Sequence, residues 1–242
     1  MVVKRIFLLA VSDWKNISRD PLLIFSMVGS LLLALLVRFG VPELHAFLSQ
    51  HISFSLNEHF LIIIGLVLLM APLMIGILYG FILLDERDEG LLLYYSITPL
   101  TKSGYLFGRL LFPIGITFLL AYSIILIQGI VAVRFASFIP VAFLFALQTP
   151  IITMIMATLA SNKVEGLALT KVINLCILVP LIDYILASPL LNVVAMFFPV
   201  YWPVAMLLEN QPTRYWIDFI LGIMMTVLWF TVIHYKFQRK IE

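Results

Sequence analysis

Residues 83–111, LLDERDEGLLLYYSITPLTKSGYLFGRLL, decide how this chain is read. Five consecutive charged residues, Asp85 to Glu89, stand between strongly apolar runs. The surrounding chain makes that knot unusual. Its 242 residues are 63% hydrophobic and only 12% charged, with a mean hydropathy of +1.12. Soluble domains carry about 25% charged residues and are about 45–50% apolar. A chain so poor in charge cannot cover a water-facing surface, so its solvent is mostly lipid, and the knot belongs where the membrane ends. The net charge of +2 offers no field for nucleic acid. The single cysteine, Cys176, excludes an intrachain disulfide framework and reads as a small core residue in an apolar run.

Crossing a membrane as a helix takes about 20 mostly apolar residues. Six segments qualify, at roughly 22–42, 60–84, 105–133, 138–160, 168–190 and 215–235. The fold class is therefore an all-α membrane protein, read as one transmembrane domain over 1–242. Pro180, Pro189, Pro199 and Pro203 punctuate the end of the fifth segment, which predicts a span followed by short broken helices. The first outer loop, about 17 residues, is too small to fold alone. The N-terminus turns polar at Asp13 and Lys15 without a small-residue cleavage site, unlike a signal peptide. Ile6, Leu9, Ala10, Trp14 and Ile17 recur at helical spacing, which predicts an interfacial helix over about 3–18.

Basic residues set the orientation. With the N-terminus inside, twelve of the fifteen Lys and Arg fall at cytoplasmic ends, and only Arg38, Arg134 and Arg214 fall outside. This positive-inside bias puts both termini in the cytoplasm of a multi-pass cell-membrane protein. Trp14, Trp202 and Trp216 fall near expected interfaces, as aromatic belts do.

The same topology puts residues 85–104 in the cytoplasm. Acidic side chains stabilise a helix start, where unpaired N–H groups carry partial positive charge. The knot thus suits the beginning of a short helix over about 87–97. Thr98-Pro99 ends it, because the residue before a proline avoids the helical region. A short helix with a charged end and an apolar-aromatic side at a membrane surface reads as a docking device.

Here the residues resemble the cytoplasmic loop of type-2 ABC exporter permeases. The resemblance rests on Glu86, Arg87, Asp88, Glu89, Gly90, Leu91 and Leu92, then Thr98, Pro99 and Leu100, then Tyr105, Leu106, Gly108 and Arg109. Arg19-Asp20-Pro21 before the first span matches a recurrent triplet of that family. One departure is Leu93, where the family often has glutamate. VPLIDYILASPLL (179–191) and FFPVYWPV (197–204) look most like the small drug-export permeases. The resemblance implies that the short segment is a coupling helix seated in a separate ABC ATPase subunit. Its contacts would be Glu86, Arg87, Asp88, Glu89, Gly90, Leu91, Tyr94, Tyr95, Thr98 and Pro99. It also implies a second permease copy, either a homodimer or a related chain, and outward movement of a lipophilic or drug-like substrate.

The chain has no G-x-x-x-x-G-K-[ST] phosphate loop. If it pumps, the energy comes from another polypeptide, and the resemblance implies a transport subunit that binds no cofactor itself, with ATP and Mg in the partner ATPase. Asp183 lies inside an apolar segment, where an ionisable group is a functional candidate or else sits hydrated near the outer interface. Gln128, Gln148, Asn174 and Asn192 are weaker candidates that interhelical hydrogen bonds would explain. The cluster Phe197, Phe198, Tyr201 and Trp202 would bind an aromatic substrate or form an interfacial belt. Asp183, Gln128, Tyr201 and Trp202 are therefore the candidates for the substrate path. Gly76 and Gly80 form a small-x-x-x-small pattern that would serve close packing or a dimer contact. His45, His51, His59, Glu43 and Glu58 share the first outer loop but match no metal-site spacing.

Two rival classes compete. A prenyltransferase-like membrane enzyme would need a second aspartate-rich cluster, which the sequence lacks. An ion-coupled carrier would show inverted repeats and midplane charges, and only Asp183 offers one.

Overall fold

The computed structural model describes residues 21–51, 54–90 and 101–241, and the interfacial helix expected over 3–18 lies outside them. The elements are helices α1 (Pro21–His51), α2 (Phe60–Asp88, after a 3-10 turn at Leu56–His59), α3 (Thr101–Gln128), α4 (Phe135–Leu159) and α5 (Lys163–Leu175). They continue with α6 (Leu178–Leu186), α7 (Pro189–Met196), α8 (Tyr201–Leu208) and α9 (Pro212–Ile241). Six stretches are long and apolar enough to cross a membrane: α1, α2, α3, α4, α5 with α6, and α9. The chain is an all-helical, multi-pass membrane protein, with no strand among the described residues.

The first span overruns its expected end at 42. Pro42 sits inside α1, and the helix continues to His51. Val41, His45 and Leu48 turn inward at helical spacing, and the His45 ring meets Phe60 edge-on at 6.1 Å. This inward stripe outweighs the lost hydrogen bond at the proline. The expected 17-residue outer loop is therefore much shorter, since helix covers its residues 43–51 and a 3-10 turn opens at Leu56. At about 1.5 Å per residue α1 is about 46 Å long, more than the roughly 30 Å hydrocarbon layer, so it tilts or projects beyond it.

α4 is the hub, packed against α2, α3 and α9. Its apolar window is 72% buried, against 11% for α5 with α6, which lie at the periphery. The α2–α4 contact depends on Gly76 and Gly80. A Cβ on Gly76 would lie 2.8 Å from Ile152 Cβ, and one on Gly80 would lie 2.5 Å from Met156 Cβ. The small-x-x-x-small pattern thus joins two helices of one chain, not two copies. Hydrogen bonds add direction in a medium without water. Thr117 and Thr149 bridge α3 and α4 at 2.8 Å, and Thr153 of α4 donates to the Gly76 carbonyl at 3.0 Å.

The stretch 176–211 is broken into short helices. Pro180, Pro189 and Pro203 each lie in the first turn of α6, α7 and α8, where a missing N–H costs no helix bond. Trp202 Nε1 donates to the Met196 carbonyl and Trp229 Nε1 to the Phe197 carbonyl, both at 2.9 Å, which pins this stretch to itself and to α9.

Candidate functional site

The charged knot ends a helix instead of starting one. Asp85 to Asp88 form the last turn of α2. Glu89 N–H donates to the Asp85 carbonyl at 2.9 Å, and Gly90 N–H donates to the Arg87 carbonyl at 3.0 Å. Gly90 has φ +74°, the left-handed conformation that stops a helix and suits glycine. The short helix expected from 87 therefore does not begin at Arg87, and residues 91–100 lie outside the described residues. Among the expected coupling residues, Leu91, Tyr94, Tyr95, Thr98 and Pro99 fall in that stretch.

Acids at a helix C-terminus oppose its dipole. Here they are matched by neighbouring helices. Glu86, 9% exposed, pairs with Arg109 of α3. Asp85 pairs with Lys163 at the start of α5, at 2.9 Å. Arg87 donates through Nη1 to the carbonyls of Ala157 and Ala160, both at 3.0 Å, and through Nη2 to that of Ser161 at 2.7 Å. Ala157 lies in the last turn of α4 and Ala160 and Ser161 just past its end, so a cation sits on the negative end of that helix. Beside it, Asn162 caps α5 by accepting from Glu165 N–H at 3.0 Å, while Glu165 accepts from Ser161 N–H at 2.7 Å. One turn of α2 thereby clasps α3, α4 and α5. Of the knot, only Asp88 and Glu89 are exposed residues.

At the opposite end, Asn192 of α7 donates to both carboxylate oxygens of Asp183, at 3.3 and 3.2 Å, and to the Tyr201 hydroxyl at 2.9 Å. Asp183 and Tyr201 line a polar cavity of about 170 Å³ with Glu209, Arg214 and Asp218. Arg214 Nε donates to Asp218 at 3.2 Å, four residues on along α9. Asp218 is 3% exposed and was missed by sequence reasoning, although an Arg four residues before an Asp in an apolar span was the available signal.

The other two path candidates stand elsewhere. Gln128 accepts from Ile130 N–H at 2.7 Å and Val131 N–H at 2.9 Å, and donates to the Val131 carbonyl at 2.6 Å. It closes the loop after α3. Trp202 is 3% exposed and holds Met196 through its indole N–H. Of the histidines expected in the first outer loop, His59 bonds the Tyr184 hydroxyl at 2.9 Å, and Nδ1 of His51 lies 2.9 Å from the Phe47 carbonyl.

A third feature was not expected. An apolar cleft of about 840 Å³ runs between α1, α2 and α5, with Asp85 and Lys163 at one end.

No solved structure matches the chain. Two curated relatives do, both from Mycobacterium tuberculosis. They are the fluoroquinolones export permease protein MT2760 of strain CDC 1551 / Oshkosh and the fluoroquinolones export permease protein Rv2686c of strain ATCC 25618 / H37Rv. Each is 24% identical over 194 residues, covering 79% of this chain and 77% of the relative. A family model described as fluoroquinolones export permease protein Rv2686c-like matches residues 13–234. That span begins before α1 and reaches into the last turns of α9, so the chain belongs to the Rv2686c-like family of export permeases.

Proposed function

We propose that this permease is the membrane half of an ATP-driven drug exporter, working as two permease copies with two ABC ATPase subunits. Its substrate is a fluoroquinolone or a similar lipophilic aromatic drug, as the names of its relatives suggest. Both termini and the knot are cytoplasmic, consistent with the distribution of Lys and Arg. The observation that carries the reading is the clasp at the end of α2. Glu86 and Arg87 tie that turn to α3 and α4, and the exposed Asp85–Lys163 pair adds a weaker link to α5. A push on the segment after Gly90 would therefore reach four helices at once, as a coupling joint requires.

The expected ATPase contacts divide accordingly. Glu86 and Arg87 serve the clasp, and Asp88 and Glu89 are the described knot residues that face a partner. In inverted vesicles holding the chain and its ATPase, a fluoroquinolone should accumulate only with hydrolysable ATP. Accumulation by the purified permease alone, driven by an ion gradient, would replace this reading with the carrier. Asp88→Lys with Glu89→Lys should lower ATPase co-purification several-fold without lowering thermal stability, because both side chains are exposed. Undiminished association would remove them from the interface.

A further inference from the structure

The cleft between α1, α2 and α5 runs from Asp85 to Met70 along α2, about 20 Å at the helical rise. Its volume of about 840 Å³ is within the range of drug-binding sites. Four residues give it a distinct chemistry. Asp85 and Lys163 supply both signs of charge, and Phe25 and Phe81 supply aromatic surface. Phe81 lies one turn before Asp85, so the two side chains stack on one face of α2. Its ring is held against α5, where a Cβ on Gly166 would come within 2.9 Å of Phe81 Cε1. Deeper in, Met70 and Met74 provide a soft lining that adapts to ligand shape.

We infer that this cleft is a recognition site for a planar aromatic zwitterion, with Asp85 taking its ammonium group and Lys163 its carboxylate. The inference rests on the proposed drug-export function and names where the drug's charges are read. The Asp85–Lys163 pair spans 2.9 Å with its side chains 41% and 61% exposed. An exposed pair of that kind is weak, so a zwitterion can part it and satisfy both partners. A ring one turn from the charged pair, at Phe81, with Phe25 further along the cleft, favours a compact ring system beside the charges over a lipid, whose acyl chains would need only the apolar depth.

The test uses the purified full chain in nanodiscs and a fluoroquinolone with a free carboxylate and a free secondary amine. Its methyl ester, a cation, and its N-acetyl derivative, an anion, are the comparison probes. Binding is read from drug fluorescence. The zwitterion should bind about tenfold tighter than either derivative. Lys163→Gln should abolish the preference over the ester alone, and Asp85→Asn the preference over the N-acetyl compound alone. Met74→Trp, which fills the cleft, should weaken zwitterion binding about tenfold at an unchanged melting temperature. A second filling variant, Leu78→Trp, serves if Met74→Trp fails to fold. Preferences that survive in both charge variants, or full binding in a filled cleft, would overturn the inference. So would a phosphatidylethanolamine retained by native mass spectrometry and lost only in the filled variant. ATP-driven efflux separates the two readings. No efflux of any probe by the wild-type complex sinks the exporter reading. Efflux that persists in Met74→Trp sinks only the cleft.

Discussion

Arg87 stands in a run of five charges that looks solvated on paper, yet its guanidinium holds one carbonyl in the last turn of α4, Ala157, and the two just after the helix, Ala160 and Ser161. A planar fork with several donors suits that task, and an ammonium does not. Arg87→Ala should destabilise the fold by about 2 kcal/mol, read as a lower melting temperature in detergent. Arg87→Lys should recover less than half of that loss. A mutant as stable as wild type would return Arg87 to the list of partner contacts. Spacing could not show this. The acceptors lie some seventy residues along the chain (|i−j| 70, 73 and 74), and backbone carbonyls leave no mark in a sequence. Asp183 was legible as a candidate because a carboxylate in an apolar run is costly. Its bridge through Asn192 to Tyr201 was not, because it depends on how three short helices turn between their prolines.

At the scale of the element, α2 against α4 is the closest seam. Gly80→Ala pushes a methyl toward Met156 and should cost about 1–3 kcal/mol, lowering the melting temperature. Gly115 of α3 is the control. A Cβ there meets nothing within 4 Å, so Gly115→Ala should leave the melting temperature unchanged or raise it slightly. Equal effects at both positions would discard close packing as the role of Gly80. All six crossing stretches were legible, because each needs a long apolar run whatever it packs against. Their ends were less so. The first apolar segment was expected to end at about 42, but an inward stripe at Val41, His45 and Leu48 carries the helix past Pro42 to His51. The acids of the knot looked like a helix start, but cations from α3 and α5 make them tolerable at a helix end.

For the whole molecule, orientation can be checked directly. In a Cys176→Ala background, Asp88→Cys should react with a membrane-impermeant maleimide only in inverted vesicles. Asn210→Cys should react only in intact cells, since both positions are exposed at opposite ends of the bundle. The reverse pattern would invert the topology and place the knot outside, away from any ATPase.

Composition and apolar run length, by themselves, determined that this protein is an all-helical membrane protein with six crossings, and its residue pattern pointed to an exporter permease. Lipid demands those features of each segment independently, so they are written locally. Only the tertiary structure decided which charges face each other, that the glycine seam is internal, and that α1, α2 and α5 leave a cleft. Those depend on residues far apart in the chain meeting across helices, and no local pattern records a meeting.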